Sequence, residues 1–158
     1  PSSEQFENNL AKKLAEFDLK KPVWVEDESR QVGRCAIPDN LYAKMRNTHL
    51  VKVVVPKIVR EKRLVEEYGC FPKEPLETSI KNIERRLGGL RTKQSLDALA
   101  DGDLLKVAEI TLDYYDKAYL HGNSKRDAKM IYSIDVEEDN PAKTAKEVLE
   151  FSKKLSLC

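Results

Sequence analysis

Two short apolar runs constrain the fold of this chain more than any other feature. The run "VWV" at 23–25 follows a proline, and the run "LVKVVVP" at 50–56 ends in one. Apolar runs without polar alternation are typical of strands that are buried on both faces, as in parallel sheets. Helical spacing follows each run, over 38–47 and from Ile58 onwards. This order of strand, helix, strand and helix predicts an α/β fold with a parallel sheet, with Trp24 in its core.

The rest of the chain is predicted to be mostly helical. Ser2 and Gln5 predict a capping box before the first apolar helical pattern, and Pro141 stands at a favoured first position of the last helix. The predicted elements are helices over 2–17, 76–87, 95–100, 103–115 and 141–155, loops over 72–75 and 121–124, and a strand over 129–137. A parallel sheet with flanking helices, followed by a mostly helical C-terminal region, is therefore expected.

Composition excludes several classes of protein. The 158 residues suffice for one domain with a core, and 41% hydrophobic with 35% charged residues predicts a folded, soluble chain. No apolar run approaches the roughly 20 residues of a membrane helix, and no signal segment is seen, so a cytoplasmic location without membrane contact is expected. The cysteines Cys35, Cys70 and Cys158 form no C-x-x-C pair. They predict reduced thiols rather than a disulfide framework or a zinc site.

Three adjacent carboxylates, Glu26, Asp27 and Glu28, follow the first apolar run. Ligands of parallel sheets gather at the carboxyl ends of the strands, and an acidic strand end is the second motif of P-loop proteins, where a carboxylate holds Mg²⁺. Side-chain alternation places Glu26 and Glu28 on one side and Asp27 on the other. The alternative interpretation is a solvated acidic turn.

The phosphate loop that accompanies such a strand, G-x-x-x-x-G-K-[ST], is missing from this sequence. None of the six glycines is followed by lysine. The first strand and the phosphate loop of a P-loop domain are therefore expected to lie before Pro1.

Several segments, in order from about Glu4 to Tyr119, resemble the tRNA 2-selenouridine synthases. They are "QFENNLA", "PVWVEDESRQVG", "LYAKMR", "VVVP" followed by "REKRLVEEYG", "IERRLGG" and "YYDKAY". Members of that family join a rhodanese-like domain, or a separate rhodanese-like subunit, to a P-loop-like domain. The resemblance implies that 1–71 is the later part of a P-loop-like α/β domain. It also implies a helical region with a basic cluster over 72–128, and a strand with the C-terminal helix over 129–158.

The resemblance implies replacement of sulfur by selenium at a wobble 2-thiouridine of tRNA. The reaction passes through a geranylated intermediate and uses geranyl diphosphate and selenophosphate as substrates, without a covalent cofactor. The implied roles are catalysis or positioning for Glu26, Asp27 and Glu28, a magnesium contact for Asp27, phosphate contacts for Ser29 and Arg30, and close backbone approach at Gly33. The rhodanese-like partner supplies the active cysteine, since none here lies in a rhodanese-like loop. The chain alone is therefore expected to be catalytically incomplete.

A basic cluster around the Gly-Gly pair is the candidate tRNA surface. Arg85, Arg86, Arg91 and Lys93 suit a phosphate backbone, and Tyr114 suits base stacking. The alternatives are a solvated helix face and a packed tyrosine. Two further functions stay open at this stage: a non-catalytic RNA-binding or partner-binding module of P-loop ancestry, and a fragment of another P-loop kinase or NTPase.

Overall fold

A computed structural model describes residues 2–18 and 20–155 of the chain. The chain divides into two compact units. The first unit comprises Pro1–Lys52, Arg126–Ser133 and Ala142–Cys158, and the second comprises Val53–Lys125 and Ile134–Pro141. We call the second the helical unit, because five helices form most of its described part.

The helices and strands cover most of the described residues. The helices are α1 Ser3–Ala15, α2 Asp39–Arg46, α3 Lys57–Tyr68, α4 Lys73–Asn82, α5 Glu84–Leu87, α6 Gly89–Asp101, α7 Leu104–Asn123 and α8 Pro141–Lys154. The strands are β1 Gln31–Val32, β2 Cys35–Ala36, β3 Leu50–Val54 and β4 Ile131–Asp135.

The parallel sheet consists of β3 and β4. Val51, Val53 and Val54 give β3 its β-branched character, and Pro56 then ends the strand and starts α3 as its N-cap. Beyond β4, the N–H of Val136 donates to the carbonyl of Val54 at 3.0 Å. The predicted α/β class with a parallel sheet and flanking helices is confirmed.

The first unit contains a small antiparallel hairpin of β1 and β2. Gln31 pairs with Ala36 and Val32 with Cys35. Gly33 lies in the turn with a φ of 60°, a left-handed conformation that a residue with a Cβ rarely adopts. A turn therefore accounts for this glycine, and the sequence had not predicted the hairpin.

The helical unit is organised around α7. This helix packs against α3 and α6, and α4 packs against α6. The buried apolar side chains of the unit come from every one of its helices except α3, and include Ile80, Leu87, Leu99, Ile110 and Leu112. Apolar residues at the helical spacing that predicted these helices therefore form the buried core of the unit.

The prediction of a strand at 23–25 is wrong, because these residues form no regular structure in the described chain. This segment has no strand partner there, and Trp24 is 49% exposed, so its predicted place in the core is wrong as well. A β-branched run becomes a strand only when a neighbouring strand satisfies its backbone hydrogen bonds.

Several helix boundaries also differ from the sequence pattern. The loop predicted over 72–75 begins α4 instead, because Pro75 occupies the first turn, where no intrahelical N–H partner is needed. The helix predicted over 76–87 divides into α4 and α5 at Ile83, and the loop predicted over 121–124 is largely the last turn of α7. Ser2 caps α1 by accepting from the N–H of Gln5, but the Gln5 side chain bonds to Asn9 rather than completing the capping box.

Candidate functional site

The acidic segment, residues 26–30, runs without regular structure between α1 and β1. Glu26 and Glu28 are exposed, whereas the side chain of Asp27 is only 22% exposed. The alternation expected of an extended chain is therefore present. It leaves two carboxylates facing solvent and turns the third inward.

Asp27 is held by two arginines of the first unit. Arg46, at the end of α2, donates from Nη1 to both carboxylate oxygens of Asp27, at 3.1 and 3.3 Å. Arg126 donates from Nη2 to Oδ1 of the same carboxylate. The ion pairs join three distant parts of the sequence and fix the acidic segment at its centre.

Arg126 is the most buried charged group of this arrangement. Its side chain is 3% exposed, and its Nη1 donates to the carbonyls of Met45, Arg46 and Thr48 at 2.9, 3.0 and 3.2 Å. Carbonyls at a helix C-terminus have no partner within the helix, and a guanidinium is well suited to satisfy several at once. Arg126 therefore links the end of α2 to the acidic segment.

This geometry does not fit Asp27 as a magnesium ligand. Mg²⁺ binds carboxylate oxygens that are free to coordinate, whereas both oxygens of Asp27 accept hydrogen bonds from guanidinium groups. Within residues 2–18 and 20–155, no group of three or more histidine, cysteine or carboxylate side chains could hold a metal ion. Asp27 thus holds the acidic segment in place through its two arginine contacts, and Glu26 and Glu28 face solvent.

The remaining candidate residues of the acidic segment lead into the hairpin. The hydroxyl of Ser29 donates to the carbonyl of Gln31 at 2.7 Å, and its N–H donates to the Glu28 carboxylate at 3.2 Å. Arg30 forms an exposed ion pair with Asp39 at the start of α2. Both side chains face solvent, so an incoming phosphate group could exchange for these weak surface contacts.

The basic cluster lies in the helical unit, at α5 and the start of α6. Arg85, Arg86 and Lys93 are exposed, and Arg86 donates from Nη1 to the Tyr114 hydroxyl at 3.3 Å. That hydrogen bond raises the pKa of the Arg86 guanidinium above its ordinary value. Arg91 differs from the others because its Nη2 donates to Asp113 at 2.6 Å. Three of the four predicted cations, Arg85, Arg86 and Lys93, are therefore exposed at the surface of the helical unit.

The sequence had not predicted the paired carboxylates of α7, one of which contacts Arg91 of the basic cluster. Asp113 accepts hydrogen bonds from Lys57 and Arg91, both at 2.6 Å, and these bonds lower its pKa. Asp116, the aspartate of "YYDKAY", receives a bidentate contact from Arg60 at 2.7 and 2.9 Å, which lowers its pKa. Both carboxylates lie on α7 and bind helix α3. The one sequence feature that could have indicated these ion pairs is the spacing of Asp113 and Asp116, three residues apart on one face of a helix.

The ion pairs of Asp113 and Asp116 give a prediction for the stability of the fold at acid pH. Because the pKa of each is lower in the folded chain than its ordinary value of about 3.9, their ion pairs stabilise the fold fully above that pH. The contribution is lost as the pH falls through the lower folded values. We expect the urea midpoint to fall below pH ~4. Asp116→Asn should make that fall shallower, whereas Asp97→Asn, at an exposed position of α6, should not. An identical acid slope for Asp116→Asn and the unsubstituted chain would contradict the assignment.

The two candidate clusters belong to different units, the acidic segment to the first and the basic cluster to the helical unit.

Cys35 is buried and Cys70 exposed, neither forms a disulfide, and Cys158 lies outside the described residues. No helix in the described part of the chain is long and apolar enough to span a membrane.

The parallel sheet with flanking helices defines a partial P-loop-like α/β protein. The family model described as the tRNA 2-selenouridine synthase AAA domain matches residues 1–149. The chain belongs to this family, as its motifs predicted.

Similar curated proteins carry the same name. The tRNA 2-selenouridine synthase of Shewanella frigidimarina is 29% identical over 85% of this chain and 45% of its own length. That of Bordetella bronchiseptica is 25% identical over 87% of this chain and 46% of its own length, and that of Nitrosomonas europaea is 39% identical over 43% and 18%. The chain spans about half the length of the first two relatives. No solved structure matches it.

Proposed function

We propose that this chain is part of a tRNA-modifying transferase that converts wobble 2-thiouridine to 2-selenouridine. The reaction would proceed through a geranylated intermediate and use geranyl diphosphate and selenophosphate. The observation that supports the proposal is the family match over 1–149, which includes both the acidic segment and the basic cluster. The setting would be the cytoplasm, where tRNA is found.

In this proposal, the three carboxylates of the acidic segment have different roles. Asp27 positions the segment through Arg46 and Arg126, while Glu26 and Glu28 face solvent, where a reacting group or an ion can meet them. Ser29 and Arg30 would contact the phosphate of geranyl diphosphate or selenophosphate. Preorganised charges around a leaving phosphate are an effective form of catalysis.

Other components of the transferase lie outside this chain in the proposal. The chain covers less than half of the Shewanella and Bordetella proteins, so part of their length has no counterpart here. A rhodanese-like domain or subunit would supply the active cysteine. The phosphate loop would belong to the P-loop-like domain of the complete protein.

The proposal is tested with the chain joined to the rest of a family member's sequence. This protein is incubated with tRNA that contains wobble 2-thiouridine, first with geranyl diphosphate and then with selenophosphate, and the nucleosides are analysed by mass. We expect the geranylated nucleoside after the first addition and 2-selenouridine after the second. A folded protein that yields neither product would overturn the proposal, and tRNA binding alone would favour a non-catalytic RNA-binding module.

The basic cluster gives a prediction for tRNA affinity. Replacing Arg85 and Arg86 together by alanine should weaken tRNA binding, because each guanidinium that contacts a phosphate releases counterions. The slope of log affinity against log salt should fall by about 2, or about 1 for each contact. A filter-binding series over several salt concentrations measures the slope.

The matched control replaces Lys12 and Lys20, two exposed lysines of the first unit, by alanine. It removes the same charge and should leave the slope nearly unchanged. Equal slopes for both double variants would remove the basic cluster from the tRNA surface.

A further inference from the structure

Leu90 is a large apolar side chain that lies almost entirely in solvent. It is 73% exposed, more than any other large apolar side chain among the described residues. It occupies the second position of α6, directly after Gly88 and Gly89. The buried residues of α6 include Thr92, Ser95 and Leu99, on the side of the helix that faces away from Leu90. Leu90 therefore adds nothing to the core of the helical unit.

The two glycines before Leu90 leave the surface beside it open. A Cβ added at either glycine would meet no atom of the described chain within 4 Å beyond its chain neighbours and its own helix. Gly88 has a φ of 90°, so its backbone conformation accounts for this glycine. Gly89 has no positive φ, so neither strain nor packing in the described chain requires a glycine there. A glycine at such a position allows a second molecule to approach the backbone closely.

The charges around Leu90 favour a polyanion. Four cations and one carboxylate occur between Glu84 and Lys93. Arg85, Arg86 and Lys93 are exposed, and Lys93 follows Leu90 by three residues, so these two side chains share one side of α6. Nucleic-acid-binding proteins separate stacked bases with an apolar side chain of this kind, held in place by cations on the phosphates.

The proposed reaction requires such a separation of bases. A nucleophile that replaces the substituent at C2 of a uridine must approach a face of the ring, and in a stacked loop a neighbouring base covers that face. Enzymes that act on a base therefore take it out of the stack, which costs free energy. A side chain that fills the vacated space offsets part of this cost.

We propose that Leu90 is a wedge that separates the wobble base from its stacked neighbour while the exposed cations of the basic cluster hold the flanking phosphates. Gly89 allows the displaced base to pass close to the start of α6. Leu90 is a positioning residue, because it moves the base and takes no part in the making of bonds. The inference rests on the proposed function, since it uses the tRNA substrate of that reaction.

Fluorescence of an RNA stem-loop tests the wedge without the transfer reaction. The loop contains 2-thiouridine at the wobble position and 2-aminopurine as its 3′ neighbour, whose emission rises when the two bases unstack. We expect the emission to rise when the full chain binds, and Leu90→Ala to lose most of that rise. The salt dependence of binding should be unchanged, because the cations remain.

Two control variants accompany this measurement. Leu90→Met keeps an apolar side chain of similar size and should retain the rise in emission. Leu120→Ala removes another exposed leucine of the helical unit, from α7, and should also retain it. Equal emission for Leu90→Ala and the unsubstituted chain would overturn the inference, as would binding of the stem-loop without any rise.

Gly89→Leu distinguishes a wedge from a generally apolar surface. The added side chain enters open space, so the fold should be retained, as thermal melting verifies. It blocks the approach to Leu90, and we expect the rise in emission to fall. A larger rise would show that any apolar side chain suffices at this position, and would contradict the wedge.

The transfer reaction separates this inference from the proposed function. In the chain joined to the rest of a family member, Leu90→Ala should lower kcat about tenfold and leave KM nearly unchanged, because unstacking a base costs free energy of that order. If Leu90→Ala forms product at the normal rate, the wedge is wrong and the proposed function stands. If the emission changes are as expected but no modified tRNA forms, the wedge stands and the proposed transfer is wrong.

Discussion

Replacing Arg126 by methionine is expected to lower the free energy of unfolding by about 3 kcal/mol, the lower end of the cost of breaking a buried ion pair from one side. The change removes the contact to Asp27 and three hydrogen bonds to carbonyls at the end of α2. Methionine has similar bulk and no charge, so the loss reports the polar contacts rather than a cavity. Urea unfolding followed by circular dichroism measures the change.

Lys129→Met is the matched control for this variant. Lys129 is exposed and three residues away, so its replacement should change the free energy of unfolding by less than about 0.5 kcal/mol. Equal effects of the two substitutions would show that Arg126 does not hold the acidic segment.

The second large effect is expected at Asp27. Asp27→Asn keeps the shape of the side chain but removes the charge that pairs with Arg46 and Arg126. In the chain joined to the rest of a family member, we expect transfer to tRNA to fall about a hundredfold, because displacement of a positioned group by about 1 Å has effects of that size. The affinity for tRNA should be nearly unchanged, since the basic cluster is intact.

A double variant separates positioning by Asp27 from direct chemistry. Stability losses of Asp27→Asn and Arg126→Met should be non-additive by about 2 kcal/mol, because each removes the partner of the other. Glu28→Gln, which alters an exposed carboxylate, should reduce transfer without changing the urea midpoint. Additive losses, or normal transfer by Asp27→Asn, would contradict the positioning role.

Local patterns predicted the elements that depend on neighbours in sequence. The β-branched residues of 50–56 form β3, Pro141 starts α8, and apolar spacing places Ile80 and Leu87 in the core. The run at 23–25 has an equally strong pattern but no partner strand in the described chain, and it stays irregular. A strand is a property of a pair of segments, so its sequence alone does not decide it.

In the candidate site, too, the sequence predicted local features but not the contacts between distant residues. The sequence identified the acidic segment, and the alternation of Glu26, Asp27 and Glu28 predicted which carboxylate differs from the other two. It did not identify Arg126, which is 99 residues from its partner Asp27. Nor did it show that Asp113, 22 residues along the chain, pairs with Arg91. Contacts between residues so far apart in the sequence depend on tertiary packing, so local sequence patterns do not predict them.

The most direct measurement of the central claim is nucleoside mass analysis of tRNA from cells that lack their own tRNA 2-selenouridine synthase. The cells express the Shewanella frigidimarina protein with its matching region replaced by this chain, and immunoblotting and tRNA binding verify that the chimaera is folded. If the chain performs its proposed role, the wobble position will contain 2-selenouridine, and the same chimaera with Asp27→Asn will leave 2-thiouridine. A chimaera that is folded and binds tRNA, yet yields neither the geranylated nor the selenium-containing nucleoside, would contradict the account.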